Sequence, residues 1–212
     1  MQANERARGY GRPAAVPDLL RHRIVRRSRL LDCCYSVWSG QRGDATVPLT
    51  TDLTDALTSP FADHMMMLDS HGPGAIRIRR GGRVIRALLG TEARGLPVRA
   101  LFHVVGRSRI LTTVDQAFGE PSVVTLDLEE HTIGDAMPLR AQLLLLPLRD
   151  ASGAITKALG CVALQGPIGD GPHRFRMTGQ QAAPVGQCAA SAAAPPPATP
   201  RAAGVPHLRL VT

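Results

Sequence analysis

The sequence predicts an α+β domain: a five-stranded antiparallel sheet with helices on one face, preceded by an N-terminal helix and followed by a disordered tail. Three observations carry that expectation. Apolar residues between positions 65 and 164 fall into five short runs, two and then three, around a helical middle. Grouped strands, rather than strict strand–helix alternation, point to an antiparallel sheet with segregated helices. Past Gln181 the chain turns to AAPVGQCAASAAAPPPATP, which has too little apolar surface to offset the entropy of ordering. The resulting division is a disordered basic segment over 1–17, one domain over 18–177 and an Ala/Pro-rich tail over 178–212.

Each element has its own signal. Asp18 offers a helix cap, and Leu20, Ile24, Leu31, Cys34, Tyr35 and Trp38 follow on one stripe at helical spacing. Arg27 interrupts that stripe, and Gly40 and Gly43 end it. Pro48, Asp52, Asp55 and Ser59-Pro60 give the next segment turn chemistry. Residues 65–68 (Met-Met-Met-Leu) read as a short buried strand, and 75–79 (Ala-Ile-Arg-Ile-Arg) alternate as a half-buried one. After Gly81-Gly82, residues 84–102 break into short pieces at Gly90, Gly95 and Pro97. Residues 103–118 form the long helix, with Val104, Leu111, Val114 and Phe118 on one face and Gly119 and Pro121 at its stop. Val124, Leu126 and Leu128 alternate with polar residues. Residues 139–148 become apolar on both faces, as a central strand does, and residues 158–164 follow a turn over 150–153.

The net charge of +8 is unevenly spread. Residues 1–30 hold eight arginines against Glu5 and Asp18, and residues 171–212 hold four arginines and no acid, so the middle carries a charge of −2. Basic ends can bind phosphate backbones or anionic surfaces without a designed site. Cys33, Cys34, Cys161 and Cys188 lack metal or disulfide-framework spacing, which fits a reducing compartment. The string Arg26-Arg27-Ser28-Arg29-Leu30-Leu31 is no export signal, because Asp32 breaks its apolar stretch and no cleavage site follows. The longest apolar run, 143–146, is far short of a membrane span, and a cytoplasmic protein is expected.

The order of elements resembles a PAS domain. Residues 88–103 (LLGTEARGLPVRALFH) are similar to the PAS segment in which a Gly opens a short helix, a G-x-P turn follows, and an L-F-H stretch begins the next helix. Trp38 with Arg42-Gly43, the linker Pro48…Asp52-Leu53, Ile76-Arg77-Ile78, residues 144–148 and Leu159-Gly160-Cys161 resemble a group of stand-alone bacterial PAS-like proteins. This resemblance spans about residues 31–177. The chain departs from the pattern in its arginine-rich N-terminus, its Ala/Pro tail, and the absence of a basic residue before Asp52.

What the resemblance implies is a non-catalytic sensor or protein-interaction module in signalling, acting through a partner because no output segment follows the domain. No phosphate loop, dinucleotide glycine triplet, H-E-x-x-H or G-x-S-x-G string is present. No cofactor is evident, although a small-molecule ligand is compatible with the family. His103 is the candidate cofactor residue, since some PAS domains bind haem through a histidine on this helix while many carry one that only supports the turn. Cys33, Cys34 and Cys161 lack the Asn-Cys-Arg-Phe-Leu context of flavin-binding PAS domains, and Cys161 reads as core. Leu31, Tyr35 and Trp38 are the candidate contact with a homodimer mate or protein partner, with burial inside their own domain as the rival reading. Arg77, Arg79, Arg80, Arg83 and Arg86 gather around one strand and turn. They could grip an acidic ligand, but a solvated sheet edge explains them more simply. With 3% aromatic residues the chain has no stacking platforms for single-stranded nucleic acid, so such binding would be non-specific, through the Arg-rich N-terminus.

Overall fold

A computed structural model describes residues 28–43, 45–53, 61–132 and 137–185. The apolar runs become β1 (Met65–Ser70), β2 (Ile76–Gly81), β3 (Ser122–Glu130), β4 (Arg140–Leu148) and β5 (Lys157–Gln165), joined by β6 (Phe175–Pro184). Three helices accompany them: α1 (Arg29–Gly40), α2 (Arg83–Leu89) and α3 (Arg107–Gly119). The strands form one antiparallel sheet in the order β2-β1-β5-β4-β3-β6.

The sheet is covered on both faces, by the expected helices on one and by the N-terminal helix on the other. α2 and α3 lie on one side, where Ile85, Leu88, Ile110 and Val114 pack against Leu126, Leu143 and Leu145. On the other side α1 lays Leu31, Cys34 and Trp38 against Leu144, Leu146 and Cys161. Strand β4 explains the second layer. Eight of its nine residues are buried, so neither of its faces can meet water.

Helix α1 begins at Arg29. Ser28 caps it, its hydroxyl accepting the Leu30 N–H at 3.3 Å, and the expected cap at Asp18 lies outside the described residues. The indole N–H of Trp38 donates to the Pro147 carbonyl at 2.9 Å, which satisfies a polar group in a fully buried ring. The linker after α1 docks on the end of β4, where Arg149 N–H donates to the Pro48 carbonyl and Thr50 N–H to the Arg149 carbonyl. Asp52 is occupied locally, its carboxylate accepting the Leu49 N–H.

The long helix starts four residues later than residue 103. Gly106 stands before it at φ +81°, a left-handed conformation, so 103–106 form a turn and leave Val104 and Val105 exposed. Its buried face is consequently Ile110, Thr113, Val114 and Ala117.

A sixth strand occupies the start of the segment assigned to the tail. β6 pairs with β3 from Phe175 to Pro184, and Val185 beyond it is buried among the α1-side residues. Its side chains gave no apolar signal because most of them face solvent. Main-chain pairing, Phe175 at one end, Val185 at the other, and a Thr113 hydroxyl donating to Gln180 Oε1 hold it in place.

Two stability experiments follow from this packing. Trp38→Phe keeps a ring but leaves the buried Pro147 carbonyl unpaired, at a cost of about 1–3 kcal/mol. Trp38→Ala should cost about 3–5 kcal/mol in the same denaturant titration, through the cavity it leaves. Ending the chain after Met177 should lower Tm by at least about 5 °C, because it removes most of the pairing between β3 and β6 together with Val185. Ending it after Val185 should move Tm by no more than about 2 °C.

Candidate functional site

Strand β2 runs along one edge of the sheet and sets the geometry of the arginine cluster. Ile76 and Ile78 point into the core while Arg77 points out, as alternation requires. A bulge then intervenes. Met67 pairs with Arg80 and Leu68 with Ile78, so Arg79 is the extra residue. As a result two consecutive arginines, Arg79 and Arg80, are both exposed, and Gly81 turns inward toward Ile85 and Ala93. Without the bulge, Arg80 would occupy the inward row of Ile76 and Ile78.

Two clefts open around this bulge. One, of about 340 Å³, is lined by Asp63, Met65–Met67, Arg80, Gly81, Gly82, Arg83 and Arg86. The other, of about 360 Å³, is lined by Arg79, Arg80, Gly81, Glu92 and Arg94. Gly82 lets the floor of the first form, because a Cβ there would collide with the backbone carbonyl oxygens of Ala62 and Asp63. Arg83 pairs with Asp63 at 2.9 Å, Arg86 with Glu92 at 3.8 Å, and Arg79 with Asp69 at 3.3 Å. All three arginines are largely solvated, so each pair contributes little stability. Arg94 was not singled out from the sequence. It reaches the cluster because the Gly95-Leu96-Pro97 segment straps the outer edge of β2, with Ile78 N–H donating to the Leu96 carbonyl and Gly95 N–H to the Ile78 carbonyl.

The other candidate residues lie elsewhere. His103 sits in the turn before α3, and its Nδ1 accepts the Val105 N–H at 3.2 Å. Its ring meets that of His131 edge-on, with centroids 4.2 Å apart, and Arg176 donates to His131 Nε2. Loss of hydration, then the nearby His131, Arg176 and Arg107, lowers the pKa of His103. The imidazole thus stands among cationic neighbours at the end of the domain. Buried His173 pairs with Glu130 at 2.7 Å, and a cleft of about 310 Å³ opens between Glu129, His131, Pro138 and Arg176.

Leu31 and Trp38 are fully buried by their own domain, so they have no surface left for a partner. Tyr35 is half-buried beside Trp38, with ring centroids 5.8 Å apart, and the Arg42 guanidinium stacks over the indole at 5.4 Å. The physical reason is again β4, whose second apolar face takes this stripe for itself. Cys34 and Cys161 are buried in the same layer, and the thiol pKa of Cys161 is pushed up by its hydrogen bond with Cys34 and by burial. Cys33 is exposed on α1. None of the three lies on the α2–α3 side of the sheet. The arginine-rich N-terminus, residues 1–27, falls outside the described residues.

A six-stranded antiparallel sheet clasped between one helix and a pair of helices defines a three-layer α+β domain. A family model described as "PAS domain" matches residues 27–163, from the cap of α1 into β5. The chain belongs to the PAS domain family. Among solved structures, a light-oxygen-voltage domain studied with a flavin analogue is 20% identical, with TM-score 0.42, over 54% of this chain and 84% of that one. The Rhodobacter sphaeroides LOV protein is 16% identical, with TM-score 0.41, over 54% of this chain. The match spans 65% of that protein, just under two thirds of its length. An RNA-binding light-oxygen-voltage receptor is 19% identical, with TM-score 0.37, over 54% of this chain and 33% of the receptor. No curated protein matches the sequence.

The histidine pair generates a titration prediction. His103 should titrate below the ordinary histidine midpoint in a two-dimensional NMR pH series. In His131→Gln its midpoint should move up, because a neighbouring ring that opposes protonation has been removed. An unchanged midpoint would show that the two rings do not interact.

Proposed function

We propose that this PAS domain is a non-catalytic sensor or interaction module that acts through a partner, and that the partner meets it at the edges of the sheet. The observation that carries this reading is the double covering of the sheet. With both faces buried under the chain's own helices, the surfaces left for recognition are the strand edges and the loops at their ends. The β2 edge concentrates charge, and Val104, Val105 and Met137 are the large apolar side chains left exposed among the described residues. A small-molecule ligand, a homodimer and a separate protein partner all fit this reading. Among the described residues no helix is long and apolar enough to cross a membrane, and we place the protein in the cytoplasm. A second reading rests on the eight arginines in residues 1–30, which favour non-specific binding to nucleic acid or an anionic surface.

Native mass spectrometry of the full-length protein, with its absorption spectrum, tests the first reading. The expected result is a species heavier than the bare monomer, either a dimer or a monomer retaining a small molecule. A bare monomer at every concentration, whose only binding is to DNA or anionic vesicles, would overturn it. In that case binding should fall steeply with salt and vanish when residues 1–27 are deleted.

A further inference from the structure

We propose that the two clefts at the β2 bulge form one binding site for a small diphosphate-type polyanion, held chiefly by Arg80 and Arg94. The proposal deepens the reading of the sheet edge as the working surface, although its test requires no protein partner.

Protection of the sheet edge does not account for these arginines. At Ile78 both outward main-chain groups are already taken by Gly95 and Leu96, so the strap has closed the edge there. Alternation alone would supply Arg77 and Arg79 as outward charges. The bulge gives up a regular step of the β1–β2 ladder and thereby turns Arg80 outward as well. Bulges that re-aim a side chain concentrate beside binding sites.

The charges around the clefts are also unevenly matched. Five arginines line the two clefts against two carboxylates, Asp63 and Glu92. Asp63 is held by Arg83, and Glu92 by Arg86 and by the N–H groups of Ala93 and Arg94. Arg79 is tied to Asp69. Arg80 and Arg94 have no ion pair among the described residues, and both line the second cleft.

Guanidinium groups bind phosphate through paired N–H donors, which suits two unpaired arginines on one cleft. Arg80 and Gly81 border both clefts, so an anion with two linked phosphates offers more oxygens to the guanidinium donors gathered there than a single phosphate does. Each cleft is of small-ligand size. No aromatic side chain lines either, so a nucleobase has nothing to stack on, and recognition rests on the phosphates.

Calorimetric titration of the full-length protein with inorganic pyrophosphate and with orthophosphate, at matched ionic strength, tests this assignment. Pyrophosphate should bind about tenfold more tightly than orthophosphate, and Arg80→Gln/Arg94→Gln should lose about tenfold or more of that affinity. Arg109→Gln removes the same charge from the exposed side of α3 and should bind as the wild type does. Amide NMR shifts on titration should concentrate at residues 80–82 and 94, and the same spectra report that the variants are folded. Absence of pyrophosphate binding, an unaffected double variant, or an equal loss in Arg109→Gln would each overturn the site. A protein that dimerises but ignores pyrophosphate would sink the anion site and leave the interaction-module reading standing.

Discussion

Strand β4 is apolar on both sides, and its two rows of leucines set the terms for everything packed around it. Leu143 and Leu145 need a cover on one face, and Leu144, Leu146 and Leu148 need another on the opposite face. Each buried leucine is worth roughly 1.5–3 kcal/mol, far more than any surface contact in the molecule. The short α2 and the longer α3 supply the first cover, and α1 with the linker behind it supplies the second. Pro147 fits the same plan. β5 pairs with Pro147 on one side, but β3 pairs with β4 only as far as Leu145, so on the other side no strand stands beside Pro147 to miss the N–H that proline lacks. The open carbonyl on that side takes the indole of Trp38 instead, and the strand's weak point becomes the anchor of α1.

Covering both faces moves the problem of exposure to the edges. Two different solutions appear. β2 is strapped by residues 95–97 and carries arginines on its outer face. β6 is built of residues with little apolar surface, and Gly179 lets it approach β3 where Asp127 sits, since a Cβ would come within 2.7 Å of that carboxylate. Asp127 in turn accepts from Gln142 Nε2, and Gln142 Oε1 accepts the N–H of Ser28, the cap of α1. A buried glutamine on β4 thereby ties the start of the helix to the sheet. Leaving either group unpaired would cost on the order of 1–3 kcal/mol, so the link fixes where α1 begins as well as which face it covers.

The legibility of these features in the sequence follows their physics. β3, β4 and β5 were readable because their side chains carry the burial pattern, and the stripe Leu31, Cys34, Trp38 was readable for the same reason. Its destination was not readable, since an apolar stripe has the same spacing whether it meets its own sheet or another chain. The doubly apolar β4 held the answer, because it required a cover on its second face. β6 was invisible because main-chain hydrogen bonds order it, and Gln-Gln-Ala-Ala announces nothing about them. The start of α3 was misplaced by four residues because Gly106 was not weighed as a breaker, and its left-handed φ explains the shift. The bulge at Arg79 has no single-sequence signature at all. The arginines could be counted, but which of them lack partners depends on a register that only pairing with β1 defines.

The position of β1 gives the arginine edge its reach. This strand lies between β2 and β5, and its methionines divide between the two cores: Met66 faces the α2–α3 side, Met65 and Met67 the α1 side. Gly160 opposite Met66 makes room for that packing, since a Cβ there would lie 2.8 Å from the Met66 side chain. The same three methionines line the first arginine cleft. An anion held by Arg80 therefore rests on the strand that touches both layers. Contact alone transmits nothing, because a ligand shifts an equilibrium only by the difference in its affinity for the two arrangements. The feature able to supply such a difference is the bulge, where a change of register would turn Arg80 back toward the row of Ile76 and Ile78 and abolish its hold on the anion.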